Sequence, residues 1–235
     1  MKFGVVVFPG SNCDHDMMHV LGEVMGQEVE ELWHKNESLE GYGPGDCIIL
    51  PGGFSYGDYL RCGAIASFSP IMKAVRAFAE NGGYIFGICN GFQILCEMGL
   101  LPGVLLRNVN QKFICKNIHL KAATPNSAVT RLINAESVLK IPIAHAEGRY
   151  YADAETIARL EANDQVLFRY CDEDGNITDE ANPNGAVNNI AGICNANRNV
   201  FGMMPHPERA SEDALGNTDG RILFESLVTK ISVTV

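Results

Sequence analysis

The sequence predicts an α/β fold: a mostly parallel central sheet with helices on both faces and a small antiparallel excursion. Three observations predict it. Short apolar runs alternate with amphipathic segments up to Pro102, glycine and proline punctuate the junctions, and past Pro102 two strand-like runs follow without a long helix between them. Strand–helix alternation implies right-handed crossovers, and therefore parallel neighbours covered on both faces.

Phe3 to Phe8 is apolar enough for a first, buried strand, and Pro9-Gly10 stops it. Asp14 to Met25 has helical spacing, Val29 to Trp33 reads as a strand, and Cys47 to Leu50 as another before Pro51-Gly52-Gly53. Ser69-Pro70 suits an N-cap and first helical position, for a helix running to Glu80 with Gly82 just past its end. Tyr84 to Ile88 is a second fully apolar run, and Asn90 to Met98 again has helical spacing. Beyond Pro102, Lys112 to Ala122 and Lys140 to Ala144 read as strands of the antiparallel excursion, Ala154 to Glu161 as a short helix, and Val166 to Tyr170 as a strand. Asp172 to Gly185, rich in Asp, Glu, Asn and Gly, reads as a surface loop, and the last helix is expected over Arg221 to Lys230.

The chemistry concentrates where apolar runs end. Tyr84 to Ile88 runs into Cys89, and the helix restarts at once, so the thiol sits on a strand-to-helix elbow flanked by Gly87 and Gly91. A helix N-terminus favours the thiolate through its dipole and free N–H groups. On these residues alone Cys89 has two readings: an activated nucleophile, or a small buried apolar residue, the commonest fate of a free cysteine. A second run, Asn199 to Met204, ends at Pro205-His206-Pro207-Glu208. The prolines exclude a helix there, and in an extended segment residues i and i+2 project to one side, so Glu208 can hold one ring nitrogen of His206 while the other faces the cysteine. The third run, Cys47 to Leu50, ends at a Gly-Gly turn. Such a turn is either an ordinary loop or a source of a backbone N–H for an oxyanion; Gly53, with Asn90 after the nucleophile, supplies the candidate pair.

Composition excludes several classes of function. At 235 residues and 46% hydrophobic, the chain buries one sizeable core, and a single domain over 1–235 is expected. With 28 acidic against 18 basic residues, a formal charge of -10 gives no footprint for nucleic acid or an anionic membrane. The N-terminal apolar run is too short for a signal-peptide core and no later run reaches membrane-spanning length, so a soluble, cytoplasmic protein is expected. Eight cysteines scattered without a C-x-x-C pair read as reduced thiols. Neither a phosphate-binding G-x-x-x-x-G-K-[ST] nor a G-x-G-x-x-G after a strand is present, so no ATP or dinucleotide site is expected in this chain.

Taken in order, FPGSNCD (Phe8 to Asp14), PGGFSYGD (Pro51 to Asp58), GICNGFQIL (Gly87 to Leu95), HAEGRY (His145 to Tyr150) and MPHPER (Met204 to Arg209) resemble the class I glutamine amidotransferases of the Cys-His-Glu type. Within that class the set is most similar to the glutaminase subunits of phosphoribosylformylglycinamidine synthases, over essentially the whole chain. The resemblance implies a flavodoxin-like three-layer sandwich, a triad of Cys89, His206 and Glu208, oxyanion donors at Gly53 and Asn90, and Gln93 as a substrate contact. It implies L-glutamine as substrate and ammonia passed to a separate synthetase subunit that amidates formylglycinamide ribonucleotide in purine (IMP) biosynthesis. ATP and Mg are then expected on that partner and no cofactor in this chain; with a short synthetase, a small bridging subunit joins the complex.

Other readings compete at particular residues. His145-Ala146-Glu147 repeats the H-x-E spacing and rivals His206, but the family match places it outside the triad. The same spacing echoes zinc deaminases, whose P-C-x-x-C partner is absent. Asp14-His15-Asp16 with His19 offers histidines at i and i+4, either a solvated helix face or a metal pair. Arg149 and Tyr150 are candidates for the glutamine site or a partner interface. At the level of the whole chain, the DJ-1-type protease and deglycase group is an alternative enzyme; many of its members carry histidine after the nucleophile, where this chain has Asn90. A silent interaction module with an unreactive Cys89 is the non-enzymatic alternative.

Overall fold

Two kinds of strand carry the fold. Glu28–Trp33 alternates charge with partial burial, whereas Cys47–Leu50 is buried at every residue. A computed structural model describes residues 1–229. Its strands are β1 (Lys2–Val7), β2 (Glu28–Trp33), β3 (Cys47–Leu50), β4 (Tyr84–Ile88), β5 (Val104–Leu106), β6 (Ile114–Ala122), β7 (Val138–His145), β8 (Arg149–Tyr151), β9 (Val166–Cys171), β10 (Ile190–Cys194) and β11 (Val200–Met203). The helices are α1 (Asp14–His19), α2 (Ile71–Glu80), α3 (Asn90–Glu97), α4 (Ala154–Ala162) and α5 (Arg221–Val228).

Nine strands form one sheet in the order β2-β1-β3-β4-β11-β10-β9-β6-β7, and β5 pairs with β8 in a separate ribbon. The stretch from β2 to β11 is parallel throughout, as the strand–helix alternation predicts. From β11 outward through β10, β9, β6 and β7 every pairing is antiparallel. The antiparallel part is therefore larger than the sequence suggests, and it continues the main sheet instead of leaving it. Two strands account for much of the difference: β10 follows the polar Asp172 to Gly185 loop, and β5 is a three-residue run after Pro102-Gly103 that gives no periodicity to read.

Burial explains the layering. Along β4 the side chains alternate faces. Phe86 meets Phe224 of α5, while Gly87 faces Leu95 and Gly91 of α3, so these two helices cover opposite sides. Gly87 pairs in register with Gly202 of β11, and a Cβ on Gly202 would lie 2.2 Å from the Phe92 ring. This side-by-side pair of glycines lets α3 approach the sheet closely and seats Phe92 and Leu95 in the core, both fully buried. At the outer edge, Glu28, Glu30 and Glu31 of β2 charge the open strand and disfavour pairing with another chain.

Local readings differ from the structure in a few places. The helix expected over Asp14 to Met25 is α-helical only to His19 and continues as a π turn over Val20–Val24. Ser69 does not cap α2 with its side chain; its hydroxyl pairs with Tyr56 Oη at 2.9 Å. The last helix ends at Val228, and Lys230 lies outside the described residues. Asp153 does cap: its Oδ1 accepts from the Thr156 N–H at 2.8 Å at the start of α4. Asp153→Ala removes this cap, and Tm should fall by about 2–4 °C.

Candidate active site

β4 and β11 are adjacent parallel strands, so both finish at one edge of the sheet, where open α/β sheets hold their ligands. Ile88 stands opposite Met203, and the N–H of Cys89 donates to the Met203 carbonyl at 2.8 Å. The elbow and the Pro-His-Pro-Glu corner are thereby set side by side. Cys89 has φ 51° and ψ -105°, a left-handed backbone that a side-chain-bearing residue adopts only when its surroundings impose it. Here a strand bond on one side and the first turn of α3, through Gln93 N–H to the Cys89 carbonyl at 3.1 Å, impose it. The thiol is 5% exposed.

His206 and Glu208 meet, though not by the expected route. Pro207–Ala210 is a 3-10 turn, so the two side chains are brought together around a turn and not along an extended segment. Their contact is short, 2.6 Å from His206 Nδ1 to Glu208 Oε1, and both residues are about 1% exposed. Burial alone would push the His206 imidazolium down; the Glu208 carboxylate and the Cys89 sulfur outweigh it, and its pKa lies well above the ordinary value. The protonated ring therefore contributes stability that is fully present below about pH 6.5 and is lost as pH rises through the raised value. In Glu208→Gln the foremost of these attractions is gone, and an NMR titration should place His206 lower than in the unaltered protein. An unmoved titration would show that Glu208 does not hold the charge.

The other predicted residues surround the same point. Gly53 has φ +125° and packs against the Ser11–Asn12 backbone, where a Cβ would lie 2.6 Å from Asn12 N. Asn90 is the first residue of α3, so its N–H has no intrahelical acceptor. Its side chain accepts from Ser55 N–H and donates to Asp58 Oδ1 at 3.2 Å and to Gln93 Oε1 at 2.9 Å. Gln93 also donates to the Glu147 carbonyl at 2.7 Å, so both ends of its amide are engaged within the protein. With Cys89, Gly53 and Gln93 line a cavity of ≈ 220 Å³, completed by Phe54, Asp58, Cys62, Arg107 and the stretch Ala144 to Glu147.

Much of that wall comes from the antiparallel half. β7 is last in strand order, yet the sheet curls until the Pro142 carbonyl accepts the N–H of His206 at 2.9 Å and the Ala144 carbonyl lies 3.9 Å from Cys89 Sγ. His145 therefore joins the wall of the Cys89 cavity, apart from the His206–Glu208 pair. Its Nδ1 pairs with Asn108 Oδ1 at 3.2 Å, and burial, with the nearby His206, pushes its imidazole down to about 4. Tyr150 is a core residue, stacked on Phe92.

Sequence reasoning missed Cys13. Its buried sulfur accepts from Arg209 Nη2 at 3.1 Å and interacts with His206, and burial pushes its thiol up. The signal was present, since Cys13 sits in the FPGSNCD motif. Among the described residues, the donor atoms of Cys13, His206 and Glu208 lie within 4.8 Å of one another, a grouping that includes the His206–Glu208 pair. The Asp14 to His19 segment is tied into this corner by an ion pair of Asp16 with Arg209 at 3.1 Å and a side-chain hydrogen bond between His19 and Glu212 at 3.1 Å. All eight cysteines are unpaired, and among the described residues no helix is long and apolar enough to cross a membrane.

The arrangement has the parts that thiol acyl transfer needs: a cysteine on a strained elbow, a histidine beside it and a carboxylate held against the histidine. Comparison with known proteins agrees. Residues 1–221 match the CobB/CobQ-like glutamine amidotransferase domain. The phosphoribosylformylglycinamidine synthase subunit PurQ of Salinibacter ruber is 56% identical, over 99% of this chain and 97% of that protein. The protein of the same name from Moorella thermoacetica is 59% identical, over 97% of this chain and 95% of its own length. A solved structure of PurLQS from Thermotoga maritima superposes with a TM-score of 0.84 at 43% identity, covering 97% of both chains. A glutamine amidotransferase of known structure from the same organism shares the fold, with a TM-score of 0.56 at 15% identity over 97% of this chain and 90% of that one. The chain belongs to the CobB/CobQ-like glutamine amidotransferase family and, within it, to the group of phosphoribosylformylglycinamidine synthase PurQ subunits.

Proposed function

We propose that the chain is the glutaminase subunit of a phosphoribosylformylglycinamidine synthase, hydrolysing L-glutamine and delivering ammonia to a synthetase subunit. The observation that carries this reading is Cys89 on its strained elbow beside a buried His206 held by Glu208. Cys89 Sγ attacks the side-chain carbonyl carbon of glutamine, and the tetrahedral oxyanion is received by the N–H groups of Gly53 and Asn90. His206 gives its proton to the departing nitrogen, the C–N bond breaks, ammonia leaves, and a γ-glutamyl thioester is formed on Cys89. His206, now neutral, takes a proton from water, which attacks the thioester and releases glutamate. Glu208 fixes the ring and stabilises its charged form. Gln93 supports the pocket by holding Asn90 and the Glu147 backbone.

The remaining parts of the reading concern the assembly. The chain acts as one amidotransferase domain in the cytoplasm. ATP and Mg are bound by the synthetase, which amidates formylglycinamide ribonucleotide, and a small bridging subunit completes the complex. Intact-mass labelling with a glutamine-like diazoketone tests the function. A single addition at Cys89, blocked by excess L-glutamine and absent in Cys89→Ser, is expected. If no addition occurs even with the synthetase present, the glutaminase reading fails and the silent interaction module takes its place.

A further inference from the structure

His206 carries the protons of the proposed reaction, yet one hydrogen bond holds its ring. Nδ1 meets Glu208 Oε1 at 2.6 Å, while the buried Nε2 has no hydrogen-bond partner among the described residues. A contact at a single atom fixes the distance to Glu208 but leaves the ring free to swing about it, so packing has to set its plane. The backbone supplies part of the restraint, since the His206 N–H donates to the Pro142 carbonyl at 2.9 Å. The rest comes from the loop between β1 and α1.

That loop brings in Cys13, which is buried. A Cβ placed on Gly52 would lie 2.7 Å from His206 Cε1, 3.3 Å from His206 Nδ1 and 3.2 Å from Cys13 Sγ, so ring, sulfur and the Gly52 backbone close on one point. The sulfur is itself anchored. Arg209 Nη2 donates to it at 3.1 Å, and Arg209 Nε donates to Asp16 Oδ2 at 3.1 Å. The same loop is stitched to the turn that carries Gly53: the Cys13 N–H donates to the Gly52 carbonyl at 3.4 Å, and Ser11 bridges to Gly53. Although the donor atoms of Cys13, His206 and Glu208 lie within 4.8 Å of one another, a divalent cation is a poor occupant of the trio. The Arg209 guanidinium already stands on the sulfur, and its positive charge repels another.

We propose that Cys13 is a positioning residue for the reaction: its sulfur, fixed by Arg209, backs the imidazole of His206 and keeps the ring on Glu208 and facing Cys89. This rests on the glutaminase reading and deepens it by naming the group that sets the base. Arg209 acts one step further out, through the sulfur. Cysteine suits the place. It fills the space beside the ring, accepts from Arg209 and, because burial favours the neutral thiol, does not compete with Glu208 for the imidazolium. A serine hydroxyl keeps the acceptor in a smaller volume, and alanine keeps neither. Misplacing a reacting group by about 1 Å costs on the order of 100-fold in rate, which sets the size of the effect.

Glutamine hydrolysis with the synthetase present, an NMR titration of the His206 ring and a thermal melt test this together. In Cys13→Ala, kcat should fall by about 10- to 100-fold while KM stays within about threefold. Cys13→Ser should recover part of that loss. Arg209→Met should also lower kcat, and Cys13→Ala combined with Arg209→Met should be about as slow as the slower single variant. The titratable and charged groups around the ring are Cys89 at the head of α3, Glu208 and Arg209 on its own turn, Cys13 ahead of α1 and His145 at the end of β7. With Cys13 removed, His206 should titrate lower than in the unaltered protein. A kcat within about twofold of the original, or an unmoved titration, overturns the proposal, and a lowered Tm alone makes Cys13 a packing residue only. Losses that multiply in the double variant overturn the action of Arg209 through the sulfur. If the unaltered protein hydrolyses no glutamine, the glutaminase reading fails, and the titration by itself still decides whether Cys13 sets the ring.

Discussion

Replacing Cys89 with serine should cut glutamine hydrolysis by about five to six orders of magnitude with the fold intact. Serine is nearly isosteric, and the bonds that impose the strained elbow, Cys89 N–H to Met203 and Gln93 N–H to the Cys89 carbonyl, are backbone bonds that survive the change. What is lost is the nucleophile: a hydroxyl ionises far less readily than a thiol, and the buried His206–Glu208 dyad is matched to a sulfur that shares its charge. The same reasoning fixes the outcome of the double variant. Nucleophile and base act as a unit, so Cys89→Ser with His206→Ala should be about as inactive as either change alone. Ammonia release, measured with the synthetase partner and accompanied by a thermal melt, is the check. Activity of Cys89→Ser within about a hundredfold of the original would move the nucleophile to another residue.

Gly91→Ala should produce the largest loss of stability from a single methyl group. A Cβ at Gly91 would stand 1.9 Å from the Leu50 carbonyl oxygen and 2.6 Å from its carbon, contacts with backbone that no rotamer relieves. Leu50 ends the fully buried strand β3, and α3 packs on both β3 and β4, so neither side can retreat without opening the core. The expected cost is about 3–5 kcal/mol, with a fall in Tm of about 10 °C or more. The elbow would shift with α3, so turnover should drop in whatever protein remains folded. Gly45→Ala is the contrast, since a Cβ there meets nothing within 4 Å, and its Tm should stay within about 2 °C. A melt for Gly91→Ala no different from that of Gly45→Ala would refute the close approach of α3 to β3.

The parallel half was legible because its signals are local. Apolar runs of four to six residues became β1, β3, β4 and β11, three of them closed by a proline within two residues, and the elbow followed from a strand that runs into Cys89 and a helix that begins one residue later. Adjacent parallel strands end together, so Cys89 and His206 had to be neighbours once β4 and β11 were paired. Glu208 meets His206 by a backbone route other than the expected extended one: a proline pair excludes an α-helix without distinguishing an extended segment from a 3-10 turn.

Residue types, their order and local periodicity thus determined the fold class, the elbow and the members of the proposed triad. Tertiary structure alone decided the pocket. The curl of β7 onto the His206 corner, the delivery of His145 and Glu147 to the Cys89 cavity and the seat of Cys13 beside His206 all depend on contacts between distant segments. Cys89 and Ala144, for example, are 55 positions apart. Such contacts are set by how a long sheet twists and coils as a whole, a property summed over many strands that no short stretch of sequence records.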